Sequence, residues 1–189
     1  MSLLRKYNRL IAVFLFLAIL FAVFKLTGLK DHFSLAFIKQ EILENEASGL
    51  LLFVLLFSLG NLIQIPGWLF LAAAVLALGR GMGGVATYVA ASISCMVTFL
   101  TIRFVGGDAL RQLDSKIAVN LLRHLDDRPI RSIVLLRILF QTVPALNYAL
   151  AMSGVKFRKY LLGTLLGLPL PIALYCLFFD YLGKALKVL

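Results

Sequence analysis

The stretch FSLGNLIQIPGWLF, Phe57 to Phe70, lies inside thirty consecutive uncharged residues, Leu50 to Gly79. A run that apolar is long enough to cross a bilayer as a helix. Near its middle sit Gly60, Asn61, Gln64, Pro66 and Gly67, which are helix breakers and amides. Freed backbone groups at membrane depth are tolerated only when they are buried in protein or line a wet cavity. The chain is therefore expected to turn back here. Pro66 and Gly67 shape the turn, and Asn61 and Gln64 satisfy the groups it frees.

The composition supports a membrane setting. The 189 residues are 61% hydrophobic and 15% charged, with a mean hydropathy of +0.96, whereas a soluble domain carries about a quarter charged residues. An integral, all-α membrane protein follows. The net charge of +10 reads as cytoplasmic loops and contact with anionic head groups. No aromatic and basic interleaving suggests nucleic acid. Cys95 and Cys176 have no metal-ligand spacing and read as small core residues. No metal and no other cofactor is implied. HExxH, GxSxG and paired intramembrane carboxylates are missing from the sequence, so an enzyme is not expected.

The N-terminus, MSLLRKYNRL, is basic and precedes an apolar stretch. Without a small-x-small cleavage site after it, this reads as an uncleaved membrane helix, about Leu10 to Leu26. Residues 28–48 carry Leu35, Ile38 and Ile42 at helical spacing and read as an interfacial helix. Residues 1–48 thus form an N-terminal membrane helix and interfacial segment, and 49–189 form the main domain. Within it are a broken stretch 50–79, a span 81–103, an amphipathic helix 108–125 with Asp108 as its cap, a second broken stretch 132–155 and a span 160–179. The second broken stretch, SIVLLRILFQTVPALNYALAMSGV, holds Arg137, Gln141, Pro144 and Asn147. IQIPG in the first half answers FQTVPA in the second. This weak internal symmetry is of the kind that repeat-built transporters show.

Charge separates two topologies. If every apolar stretch crosses and the N-terminus is cytoplasmic, seven Lys and Arg lie inside and eleven outside, which inverts the positive-inside rule. If both broken stretches enter and leave on one side, twelve lie inside and six outside, with Arg137 left within the membrane. The expected fold has an inverted-repeat-like core with two opposed re-entrant loops, spanning helices and interfacial amphipathic helices. The tips of the two loops are expected to meet near the midplane.

This layout resembles the DedA/VTT superfamily, in particular its SNARE-associated Golgi protein branch, from about Leu50 to Gly183. IPG at 65–67, GRGMGG at 79–84 and SCMVTFLTIRFVGG at 94–107 resemble family features. The strongest piece is RILFQTVPALNYALAMSGVKFRKYLLGTLLGLPLP, 137–171. Its Arg137, Pro144, Asn147, Phe157, Arg158, Tyr160, Gly163, Gly167 and Pro169 fit the pattern. Trp68 stands where a better-known bacterial branch has an acidic residue. The resemblance implies a helical fold with opposed re-entrant loops that moves lipids between leaflets. The implied substrates are phospholipids and, for bacterial members, polyprenyl phosphates. Partners are then membrane lipids and their anionic head groups, and a bacterial cytoplasmic (inner) membrane is expected. A non-transporting scaffold and a small-solute transporter are the alternatives.

Arg137 is the sharpest single residue. A central membrane Arg costs about 2.5–3.5 kcal/mol on insertion scales, so it faces protein, water or an anion. It either holds a lipid phosphate by charge-assisted hydrogen bonds, pins loop-tip carbonyls, or snorkels. The candidate lipid path comprises Arg137, Gln141, Asn147, Gln64 and Asn61. Pro66, Gly67 and Pro144 shape the loop tips. Arg103, Arg158 and Lys159 are the candidate head-group entrance, with topology signalling as the plainer reading. GRGMGG lacks the Lys-Ser/Thr ending of a phosphate loop and reads as close helix packing, as does Gly163-x-x-x-Gly167.

Overall fold

A computed structural model describes residues 2–26, 37, 40, 46–112, 116–141 and 143–186. The described residues form helices α1 (Ser2–Leu26), α2 (Glu46–Leu62), α3 (Gly67–Gly106), α4 (Lys116–Asp127), α5 (Pro129–Phe140), α6 (Pro144–Met152), α7 (Phe157–Gly167) and α8 (Pro169–Ala185). A 3-10 turn, Ala109–Gln112, precedes α4. Most of the interfacial helix expected over 28–48 lies outside the described residues.

Among the described residues two helices are long and apolar enough to cross a membrane. They are Gly67–Gly106 and the continuous rod Phe157–Ala185, which joins α7 to α8. Large apolar side chains face outward, with Phe14 72% and Leu166 66% exposed. An outward apolar surface of this kind needs lipid around it, and the chain is an integral membrane protein.

The first break is a hairpin. The Phe57 and Phe70 rings stack with centroids 4.6 Å apart, whereas a straight helix would hold the two residues about 20 Å apart. Leu50, at the start of α2, shares a cavity of about 470 Å³ with Leu78. The chain thus goes in along α2 and returns along Gly67–Leu78. It reverses again at Gly79, whose φ of 75° and ψ of 171° belong to a region that only glycine occupies at ease. Gly83 then lies against Ala74 and Val75, so close that a Cβ on it would fall 2.6 Å from the Ala74 carbonyl oxygen. The rest of α3 runs the full length, parallel to α2: the cavity that joins Leu50 to Met82 and Val54 to Val89 lies below the bond from Asn61 to Ser94.

The second half repeats this path. Ile133 packs on Gly163, and Arg137 and Val134 pack on Gly167. Helices α5 and α7 are therefore parallel, and α6 is the return between them. This hairpin begins at Pro129, three residues before the apolar run does. The two long helices cross antiparallel, with Gly84 against Cys176 near one end and Phe99 against Phe157 near the other. Pro169 has no N–H to give the Leu165 carbonyl, and the Tyr88 hydroxyl donates to that carbonyl instead, at 3.1 Å.

The polar connection closes the far end. Arg103 donates to the carbonyls of Ala151 (2.7 Å) and Val155 (3.0 Å) and pairs with Asp108 at 2.6 Å. This corrects the expectation that Asp108 caps the amphipathic helix. Of the segment 108–125, the described residues include the 3-10 turn and most of α4, whose Leu122 and Leu125 are buried. Arg111 donates to the Ser153 carbonyl at 2.8 Å and pairs with Asp126. That hydrogen bond holds the Asp126 carboxyl below its ordinary range.

Both breaks place a glutamine where glycine is cheaper. Gln64 has a φ of 69° and Gln141 a φ of 50°, and among the described residues no other non-glycine residue has a positive φ. At Gln64 the Ile65 N–H reaches back to the Gly60 carbonyl at 2.8 Å, the long bond of a Schellman helix end whose left-handed position is usually glycine. At Gln141, φ 50° and ψ −120° match the first central position of a II′ turn, also a glycine position. The Val143 N–H closes it on the Phe140 carbonyl at 3.0 Å. Such backbone strain costs about 1–3 kcal/mol. Gln141→Gly is therefore expected to raise unfolding stability in detergent by about 1 kcal/mol. A loss instead would mean that the amide side chain contributes more than the strain costs.

Candidate functional site

The two hairpin tips meet on one groove of about 480 Å³. Gln64, Pro66, Gly67 and Trp68 line it from the first break, and Phe140, Gln141, Val143 and Pro144 from the second. Leu174 and Tyr175 of α8 close one side. Among the described residues no charged side chain lines it, and its polar side chains are the two amides. Trp68 also stacks on Phe179, with centroids 6.5 Å apart.

Behind the groove runs a buried chain of hydrogen bonds that joins the halves. Arg137 is completely buried. Its Nε and one terminal nitrogen donate to Thr164 Oγ1 at 3.3 and 3.2 Å, and the same terminal nitrogen donates to the Tyr160 hydroxyl at 2.9 Å. The other terminal nitrogen donates to the Gln141 carbonyl at 3.0 Å, the carbonyl of the strained turn residue. Tyr160 Oη lies 3.0 Å from the Cys95 carbonyl and 3.2 Å from Asn147 Oδ1. Asn147 Nδ2 donates to Asn61 Oδ1 at 3.1 Å, and Asn61 Nδ2 donates to Ser94 Oγ at 3.0 Å. Ser94 in turn donates to the Phe57 carbonyl at 3.2 Å. Tyr148 donates to the carbonyls of Leu62 (2.7 Å) and Asn61 (3.2 Å), at the end of α2.

Among the described residues no carboxylate pairs with Arg137. Its counter-charge is spread over the oxygens just named, over the Tyr160 ring face 5.5 Å from the guanidinium carbon, and over the C-terminal end of α5, in whose last turn it sits. A helix C-terminus carries about half a negative charge, and the aromatic face adds to it.

The candidate path residues thus divide. Gln64 and Gln141 line the groove, whereas Arg137, Asn61 and Asn147 lie behind it with their polar atoms engaged. Pro66, Gly67 and Pro144 sit at the tips. Arg103 clamps the end of α6, and Arg158 and Lys159 are exposed on the first turn of α7. Ser94, Tyr148 and Thr164 are network members that the sequence alone does not single out, and Tyr160 enters there only as part of a family pattern. The available signal is spacing: Tyr160 and Thr164 are one helical turn apart, on one face.

The family model for the VTT domain matches residues 65–181, which takes in the first tip from Pro66 onward, the second tip, and the network residues from Ser94 to Thr164. The chain belongs to the VTT domain family. No curated protein and no solved structure matches it significantly. The matched VTT domain begins at the first tip and leaves out α1 and the ingoing helix α2, which supplies Asn61.

Proposed function

We propose that this VTT-domain protein moves phosphate-bearing lipids, phospholipid or polyprenyl phosphate, between leaflets as a transporter or scramblase. The observation that carries the reading is the groove to which both tips contribute. A polar lipid head must otherwise cross about 30 Å of hydrocarbon. In this reading the two hairpins are re-entrant loops of an inverted repeat, opposed across the membrane, and their tips shorten that barrier. Gln64 and Gln141 supply neutral hydrogen-bonding groups in the groove. Backbone strain retained at both glutamines is the kind that persists at functional sites. Arg137, Asn61 and Asn147 hold the tips in register, and Arg103 holds the end of the return helix.

The same reading places residues 1–48 as an anchoring segment ahead of a domain over 49–189 and puts the N-terminus in the cytoplasm of a bacterial inner membrane. It favours the SNARE-associated Golgi branch, makes lipids and their head groups the partners, and assigns no catalytic chemistry. Movement is downhill in this reading, since among the described residues no carboxylate lines the groove to carry a coupled proton. A second reading, a non-transporting scaffold, is favoured by one observation: Arg137 has its donors engaged inside the protein and stays out of the groove.

Head-group-labelled phospholipid in reconstituted vesicles, with an impermeant quencher, separates these readings. Scrambling predicts loss of signal from both leaflets. Leu174→Trp, which keeps the exposed face of α8 apolar and fills the groove, is expected to slow that loss about tenfold, equivalent to 1.4 kcal/mol. An inner leaflet as protected as in protein-free vesicles, with phospholipid and with polyprenyl phosphate alike, would favour the scaffold. Uptake of a soluble solute without lipid movement would point to a small-solute transporter.

A further inference from the structure

The parallel register of α5 and α7 has a second product. Ile133 faces Gly163 and Arg137 faces Gly167, so the same offset brings Pro129 beside Lys159 at the start of both helices. There Arg128, Pro129, Ile130, Arg131 and Lys159 line a cavity of about 520 Å³. Among the described residues five line it, three of them cations and none a carboxylate. Of the described carboxylates nearby, Asp126 is held by Arg111 and Asp108 by Arg103, while Asp127, next to Arg128 in the chain, is exposed and is not among the residues that line the cavity.

Neither helix has a side-chain N-cap. Arg128 precedes α5 and Lys156 precedes α7, and neither makes a capping hydrogen bond. Pro129 has no N–H, so α5 presents those of Ile130 and Arg131, while the Lys159 N–H on α7 donates to the Lys156 carbonyl at 3.0 Å; each helix start carries a partial positive charge. Because the helices are parallel, the two positive ends point the same way. The cavity lies at the end of the molecule where the polar connection and the turn after α6 gather, outside the apolar part of the rod. In a bilayer that is the level of the head groups.

We propose that this cavity is a binding site for the phosphate group of an anionic membrane lipid, with preference for a phosphomonoester. Three cations and the uncapped start of α5 favour a ligand with more negative charge and more free oxygens than the single charge and two free oxygens of a phosphodiester. A phosphomonoester has three acceptor oxygens and a charge of about −1.5 to −2. Basic pockets between membrane helices suit such head groups in general. The site stands on the membrane placement of the chain and is independent of whether the tip groove passes lipid.

The test uses the full chain in neutral detergent and reads bound lipid by native mass spectrometry. Dioleoyl phosphatidic acid is expected to bind at least tenfold more tightly than dioleoyl phosphatidylglycerol. The triple variant Arg128→Gln, Arg131→Gln, Lys159→Gln is expected to bring the two lipids level while keeping the elution profile and unfolding temperature. A control that loses equal charge elsewhere, Lys25→Gln, Arg80→Gln, Arg123→Gln, is expected to keep the preference. Equal binding of the two lipids by the unaltered protein overturns the proposal, as does a preference that survives in the triple variant or falls equally in the control. Displacement of phosphatidic acid by an equal concentration of sodium phosphate would make the ligand a soluble anion and overturn the lipid assignment.

Discussion

Arg137→Ala is expected to destabilise the protein by about 3–5 kcal/mol, the cost of breaking a buried charge network from one side. The substitution removes four hydrogen bonds at once. It leaves the Gln141 carbonyl, the Tyr160 hydroxyl and Thr164 Oγ1 short of a donor where water does not replace it, at about 1–3 kcal/mol for each group left unsatisfied. It also opens a void between α5 and α7, since Gly167 packs directly on the Arg137 stem. Arg137→Lys is not expected to rescue, because one ammonium cannot replace a planar fork that reaches acceptors on three sides. Arg137→Met is expected to fall between, since it fills the void and removes the charge without restoring a donor. The measurement is unfolding in detergent, with insertion checked separately. An Arg137→Ala protein as stable as the parent would mean that the network does not hold the second tip. A stable Arg137→Ala protein that had also lost lipid movement would return the guanidinium to direct contact with a phosphate.

The second large effect is expected at Gly83. A Cβ there would sit 2.6 Å from the Ala74 carbonyl oxygen and 2.8 Å from the Val75 Cα. Both are backbone atoms and cannot swing aside as the end of a side chain does. Gly83→Val is therefore expected to cost about 3 kcal/mol, the upper part of the range for overpacking, because the reversal at Gly79 has to open. Gly81 is the internal control. It lies in the same helix two residues earlier, with nothing within 4 Å of its added Cβ. Gly81→Ala is expected to be stabilising by up to about 1 kcal/mol, the ordinary helix advantage of alanine over glycine. If both substitutions behaved alike, close packing at this reversal would not be the reason for the glycine.

The sequence makes some of this arrangement readable. The broken runs are legible because prolines, glycines and amides are conspicuous in otherwise uncharged stretches, and charge counting then selects a topology. Gln64 and Gln141 are noticeable as a matched pair before proline, but their left-handed backbone is not, since glutamine does not ordinarily signal it. The second reversal, at Gly79, hides in a glycine-rich stretch that reads equally well as helix packing. Least legible is pairing. Asn61 and Asn147 are visible as amides, yet nothing in their own neighbourhoods says that they bond to each other. Thr164 and Ser94 look like ordinary small polar residues of membrane helices. Arg137 stands out at once, but whether it faces a ligand or the protein is decided by residues 23 and 27 positions away.

The hydrogen bond from the Asn147 amide to the Asn61 amide joins residues 86 positions apart. A chain is made from its N-terminus at about 5–20 residues per second, so Asn61 precedes its partner by roughly 4–17 s. Tyr148, which serves the last carbonyls of α2, arrives equally late. Through that interval the first hairpin has Ser94 as its partner at the tip, with its remaining polar groups dependent on lipid, water or the insertion machinery. The first half is thus made before the groups that complete its hydrogen bonds.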